Sequence, residues 1–210
     1  MHTYANDLRR RVESGAITVI DSFDGEFIWL SNFYYHDEGV TVEHLFQASK
    51  PHKNAMYTGG EYDEDSISWQ ELILRAETPG KAKGLGRKAP LRKEWGKERE
   101  DVMRNALVDK FNVPMLREWL LATGDVPLIE GNTWHDNFWG DCRCNREACI
   151  PLGLNHLGLL LMRRRDRLRA DPDELVFTPG GDVLMKELFG EDPSDDDSVL
   201  GEPDPFRKGE

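Results

Sequence analysis

The 210-residue sequence is poor in cysteine: it has three, and all fall within the eight residues from Cys142 to Cys149. An odd number of thiols so close together excludes a disulfide framework of the kind that staples small secreted domains. Cys142, Cys144 and Cys149 form Cys-x-Cys-x4-Cys, one ligand short of a closed zinc site unless His135 or Asp141 completes it. Structural zinc usually takes paired Cys-x2-Cys knuckles, so this spacing favours a reduced loop with ordinary thiols, and no metal is expected. Long apolar runs are also missing. Residues 1–7 have no apolar h-region, and Leu157 to Met162 is too short and too closely flanked by charge to span a bilayer. A soluble, cytoplasmic protein is expected. No basic stripe marks a duplex DNA surface; the cluster Arg163-Arg164-Arg165 with Arg167 and Arg169 reads as solvated cations closing a helix. Neither a Walker A motif nor a dinucleotide fingerprint occurs, and there is no internal repeat.

Charge is unevenly distributed. The formal net charge is −12, but residues 171–210 hold 13 of the 39 acidic and only 3 of the 27 basic residues, which leaves the rest nearly neutral. The stretch Glu191 to Asp197 is too polar and proline-broken to bury an apolar face. The expected organisation is an N-terminal extension over 1–16, a folded domain over 17–170 and an acidic, largely disordered tail over 171–210. Within that tail, Leu175 to Phe189 has enough apolar residues to dock on the body.

The β-rich runs Ala16 to Ile20 and Glu26 to Leu30 flank Asp24-Gly25 and predict a hairpin. Apolar spacing predicts helices over 66–76, 98–111 and 114–123, and a last one from an Asn155 N-cap to Arg167. Residues 126–130 read as a short strand and 57–65 as a loop. Helices outnumber strands without regular alternation, so the fold class is α+β: a mainly α-helical single domain with a small β-hairpin and short strands.

Two stretches carry chemistry. In Thr41 to Lys50, Thr41 can cap a short helix with Glu43, Gln47 and Lys50 on one face and Val42, Leu45, Phe46 and Ser49 on another. That polar face is either solvated or turned into a pocket. In Trp134 to Gly140, aromatic and polar residues alternate around Asp136, which suits either a ligand wall with an acid in it or a tight loop whose aspartate caps its own backbone. His44 points away from Glu43 and is expected to hydrogen-bond within the core. Lys81, Lys83, Arg87 and Arg99 are candidate phosphate contacts.

These segments occur in a particular order. Phe27 with Leu30 to Phe33, Val42 to Ala48, Gly80 to Lys83 with Leu85-Gly86-Arg87, Trp95 with Arg99 and Met103, Asp136 to Gly140, and Gly153 to Asn155 with Leu157-Gly158 together resemble the NADAR family. The resemblance implies a mainly helical α+β fold and cleavage of N-glycosidic bonds to ribose. Its implied substrates are ADP-ribosylated guanine in nucleic acid, or phosphoribosylamino-pyrimidine intermediates of riboflavin synthesis. It carries functional roles onto Glu43, Trp95, Asp136 and Trp139, with Asn32, Lys50, Arg99 and Asn155 as further matches. Glu43 and Asp136 are then the catalytic carboxylates. Lys50 could form a Schiff base with ring-opened ribose, while Asn32, Trp95, Arg99, Trp139 and Asn155 would bind substrate. No cofactor and no obligatory protein partner are implied. The alternative is a non-catalytic module that binds ADP-ribose or NAD-related metabolites.

Overall fold

The computed structural model describes residues 2–37, 39–58, 67–149 and 152–171. Most of the expected 171–210 tail, its Leu175 to Phe189 segment and most of the 57–65 loop lie outside the described residues. Seven helices are formed by the described residues: α1 (His2–Glu13), α2 (Val42–Ala48), α3 (Trp69–Leu74), α4 (Pro79–Lys88), α5 (Trp95–Lys110), α6 (Pro114–Ala122) and α7 (His156–Ala170). Helices α1, α2, α5, α6 and α7 build the main apolar core, while α3 and α4 pack a smaller cluster against Ala48 of α2. Two small sheets accompany them. Strands β1 (Tyr35–Asp37) and β2 (Val40–Thr41) pair antiparallel, and β3 (Gly131–Asn132) and β4 (Asp141–Cys142) pair parallel. The α+β class is as expected. Among the described residues no helix is long and apolar enough to cross a membrane.

The short helix α2 sits at the centre, packed against α3, α4 and α5, and all seven of its residues are buried. Thr41 caps it as expected, accepting from His44 N at 3.3 Å. The His44 ring is then fixed from both sides. Nε2 donates to the Ala76 carbonyl at 2.9 Å, so Nδ1, 2.8 Å from Thr41 Oγ1, accepts the hydroxyl proton. Burial lowers the His44 pKa, in keeping with a neutral ring that ties α2 to the end of α3.

Two expectations are corrected. The predicted hairpin is absent. Asp24-Gly25 does turn, with Gly25 at φ 51°, but residues Gly25–Leu30 wind into a 3-10 helix, and Ile20 instead bridges Leu128 in parallel. The reason is tertiary: Trp29 is drawn into an edge-on cluster with Trp119 and Phe111, and its Nε1 donates to Tyr4 Oη at 3.0 Å. The expected N-terminal extension is packed on the body: α1 lies on α6, buries Ala5 and Leu8, and is clamped to Glu26 by both terminal guanidinium nitrogens of Arg11 at 2.7 and 2.8 Å. Residues 81–87, which match no phosphate-loop motif, lie in helix α4, with Thr78 as N-cap and Pro79 in the first turn. Finally, Arg164 and Arg165 are buried rather than solvated. Arg165 donates to Thr123 Oγ1 at 2.8 Å and to the Val126 carbonyl at 3.0 Å, where α7 meets the carbonyl end of α6.

Candidate active site

Where α2 faces solvent it meets a cleft of about 760 Å³, a volume suited to a nucleotide-sized ligand. One wall is α2 and its exit, with Glu43, Phe46, Gln47 and Lys50, and α4 adds Lys83 and Arg87 beside it. Opposite lie Glu130 and Gly131, followed by Trp134, Asp136 and Trp139 from the loop between β3 and β4. The turn around the 3-10 helix closes a third side with Ile28, Ser31, Asn32 and Phe33, while Met103 of α5 and Leu157 of α7 form part of the lining. The polar face of α2 is therefore turned into a pocket and is not solvated.

Glu43 is the most deeply placed acid of this cleft, and burial raises its pKa, opposed by Lys83, the Gln47 amide and Lys50. Gln47 Nε2 donates to Glu43 Oε1 at 2.7 Å, one helical turn away. Lys50, just past the end of α2, has its pKa lowered by burial, partly offset by Glu43 and reinforced by Lys83 and Arg87. Carboxylates and cations thus share one cavity without any short direct ion pair among them in the described geometry.

Asp136 both lines the cleft and caps its own loop. Its Oδ1 accepts from Phe138 N at 3.2 Å and from Trp139 N at 2.9 Å, so the two sequence readings hold together rather than compete. The loop is held in turn by Asn132, whose Oδ1 accepts from Asp136 N at 3.2 Å and whose Nδ2 donates to the Asp136 carbonyl at 2.7 Å. Trp139 packs edge-on against Phe46 at 5.4 Å and so joins the two walls.

Five of the eight expected site residues meet in the cleft: Asn32, Glu43, Lys50, Asp136 and Trp139. Three do not. Trp95 is buried behind the wall, 5.0 Å from the Phe46 ring, where it supports that ring and presents no face to a ligand. Arg99 lies 3.6 Å over Phe138, on the far side of the loop. Asn155 has left-handed φ 50° and makes no cap bond; its side chain accepts from Glu130 N at 3.0 Å and donates to the Leu128 carbonyl at 2.9 Å. Asn155 therefore fixes the backbone from Leu128 to Glu130. Of the candidate phosphate contacts, Lys83 and Arg87 reach the cleft, whereas Lys81 pairs with Glu77. The flat faces lost with Trp95 are supplied at the rim by Phe33 and by Trp134, which is 60% exposed.

Sequence reasoning missed Glu130. Burial, reinforced by Asp136, raises its pKa to about 7, against the opposing pull of Lys110. Lys110 is fully buried, donates to the Ser31 carbonyl at 2.6 Å and is pushed down to about 7 by burial. Two opposite limbs of stability follow by proton linkage. From pH 4.5 to 7 the folded chain keeps a Glu130 proton that the unfolded chain has lost, so stability falls as pH rises. From pH 7 to 10.5 the unfolded chain keeps a Lys110 proton that the fold has released, so stability rises. The first limb is on the order of 3 kcal/mol and the second on the order of 5 kcal/mol. Tm measured against pH should show the rise above pH 7 in the native chain and a flatter profile in Lys110→Met.

Three buried polar atoms on the cleft, Asn32 Oδ1, Gln47 Oε1 and Glu130 Oε2, have no hydrogen-bond partner among the described residues. Buried unpaired acceptors cost about 1–3 kcal/mol each, so three on one cavity point to a ligand that satisfies them. Gly86 makes the Gln47 position possible: a Cβ there would lie 2.0 Å from Gln47 Oε1 and 2.8 Å from its Cβ. Gly86→Ala should therefore push α4 off α2 or displace Gln47, lowering stability by about 1–3 kcal/mol in a denaturant melt.

Known proteins are similar to this chain in sequence and in fold. The NADAR domain family matches residues 23–169, the span that supplies all the cleft residues except Ser22. The chain is 40% identical over 133 residues to the N-glycosidase Npun_R5314 of Nostoc punctiforme, covering 62% of this chain and 74% of that protein. It is 39% identical over 131 residues to the N-glycosidase YbiA of Escherichia coli, covering 61% and 69%. The NMR structure of E. coli YbiA superposes with a TM-score of 0.55 at 34% identity, over 77% of this chain and 89% of that one. Matched across most of its length in sequence and in fold, with the matched span building the cleft, the chain belongs to the NADAR family.

Proposed function

We propose that the chain is a hydrolase of N-glycosyl bonds that cleaves between ribose C1 and a base or amine nitrogen. The observation that carries this reading is the meeting of Glu43 and Asp136 in one cleft with Lys50, Lys83 and Arg87. A protein that only bound an anionic nucleotide would gain little from two carboxylates facing it, whereas bond cleavage uses both. As the C1–N bond breaks, its electron pair leaves with nitrogen and positive charge builds on C1. Asp136, anchored through Oδ1, stabilises that charge. Glu43, whose buried carboxyl holds its proton more firmly than usual, protonates the departing nitrogen, and water adds to C1 with loss of a proton. The cations on the α2 and α4 side hold phosphate, and Trp139 with the rim aromatics Trp134 and Phe33 flanks the base.

The substrate class this suits is a phosphorylated riboside: ADP-ribosylated guanine or a phosphoribosylamino-pyrimidine. Lys50, with its lowered pKa, can attack C1 of the ring-opened glycosylamine, a C1=N imine to the base nitrogen. As the Nζ–C1 bond forms, the C1–N bond to the base breaks and the base leaves as the protonated amine. Water then hydrolyses the lysine Schiff base to the ribose aldehyde and free Lys50, which splits the hydrolysis into two steps. The test is to incubate the chain with an ADP-ribosylated guanine oligonucleotide and with the pyrimidine ribosides, and to follow product by mass. Release of ADP-ribose from the oligonucleotide, or of the free pyrimidine amine and ribose phosphate from the riboside, is expected from one of them. Tight ADP-ribose binding without turnover of either would replace this reading by a binding module. Borohydride added during turnover should leave a ribose-derived adduct on Lys50; turnover without an adduct removes the covalent step and leaves direct attack by water.

A further inference from the structure

The three cysteines come together outside the cleft. Cys142 ends β4, and the strand hydrogen bonding continues through Arg143 N to the Asn132 carbonyl at 2.7 Å, so Cys144, two residues on, falls on the same face. Asn145, at φ 59°, turns the chain into the 3-10 turn Glu147–Cys149, which brings Cys149 back onto them. From the β3–β4 loop His135, at φ 69°, directs Nδ1 into the same point. Nδ1 lies 3.3 Å from Cys144 Sγ, 3.4 Å from Cys149 Sγ and 3.9 Å from Cys142 Sγ, and all four atoms are within 4.8 Å of one another.

Hydrogen bonding alone does not account for this. A neutral imidazole nitrogen has one proton or one lone pair, enough for one thiol and not for three. A shared central ion does account for it. Zinc–sulfur bonds of about 2.3 Å and zinc–nitrogen bonds of about 2.0–2.1 Å set tetrahedral edges of about 3.6 Å between nitrogen and sulfur and about 3.8 Å between sulfurs. The three observed N···S distances straddle that value. Asp141, the other candidate fourth ligand, is engaged elsewhere: its Oδ1 accepts from Gly153 N at 2.8 Å.

We propose that Cys142, Cys144, Cys149 and His135 form a structural zinc site that fixes the β3–β4 loop. This departs from the sequence expectation of ordinary thiols and no metal. Spacing alone offers His135 as a fourth ligand but disfavours the site for want of a Cys-x2-Cys knuckle, which is not needed where two cysteines share a strand face. Four protein ligands close the coordination sphere and leave no position for water or substrate, so the ion's task is to hold structure. None of the four lines the cleft, but His135 lies between Trp134 and Asp136, which do. Binding releases the thiol protons to solvent and converts a loop held by a few hydrogen bonds into a cross-linked wall.

The test uses the full chain and no activity readout. Protein purified without chelators should contain about one zinc per chain by elemental analysis, and its three thiols should resist a thiol reagent until the metal is stripped. Stripping under reducing conditions should lower Tm and expose all three, and added Co²⁺ should give the intense thiolate charge-transfer and tetrahedral ligand-field absorption that zinc then abolishes. Cys144→Ser and His135→Ala should each lose most of the bound zinc; stripping and reloading the native chain guards against variants that fail to fold. A native chain that stays below about a tenth of an equivalent after zinc loading and desalting, with three reactive thiols, overturns the proposal, as does an octahedral cobalt spectrum.

Discussion

Glu43→Gln lowers kcat by about 10²- to 10⁴-fold while leaving Tm unchanged or slightly higher. The substitution is nearly isosteric, and the amide oxygen can still accept the 2.7 Å hydrogen bond from Gln47 Nε2, so α2 keeps its place between α3, α4 and α5. What disappears is a buried carboxyl whose burial penalises its charged form, which is why stability does not suffer. The proton donor is lost with it. The native chain should lose activity as pH rises through the elevated Glu43 pKa, because the acid form is the working one, and in Glu43→Gln that limb should vanish from the kcat/KM profile. A riboside with a better leaving group should restore part of the lost rate, since it needs less protonation. Undiminished turnover in Glu43→Gln would take Glu43 out of the chemistry and leave it a positioning role for Gln47.

The sequence was most informative where a local cap coincides with a helical apolar period. Thr41 ahead of Val42 to Ala48 and Pro114 opening α6 are such cases; α5, read from its apolar repeat alone, also forms near its expected bounds. The 3-10 helix through Trp29 was not readable, because its strand-like residues are claimed by Tyr4 and Trp119, 25 and 90 positions away in sequence. The same limit separates the site residues. Family position identified which residues gather near the cleft, but only packing tells a residue that faces the ligand from one that stands behind it. Trp95 buttresses Phe46, Arg99 covers Phe138, and Asn155 holds the backbone of Glu130. Glu130 itself looked like the end of a short strand. An acid between the apolar run Val126 to Ile129 and a glycine was the available signal, but its meaning depends on Lys110 and Asp136, which sequence does not place beside it.

Asp136 allows chemistry and structure to be separated with two substitutions. In Asp136→Asn the side-chain oxygen that accepts from Phe138 N and Trp139 N is retained, so the loop, the edge-on contact of Trp139 with Phe46 and the cleft wall should persist. Only the negative charge opposite the developing cation at C1 is removed. Turnover should fall by about 10²-fold or more with Tm within a degree or two of the native value and with ADP-ribose binding unchanged or tighter. Asp136→Ala removes the charge and both backbone acceptor contacts. It should lose turnover to a similar extent and, in addition, about 1–2 kcal/mol of stability, with weaker ligand binding as Trp139 loosens. If Asp136 were only a loop cap, the order would invert: Asn would be nearly silent in turnover and Ala alone would be damaging. Steady-state kinetics with thermal melts on both variants therefore distinguish a carboxylate that acts on the substrate from one that only shapes the wall.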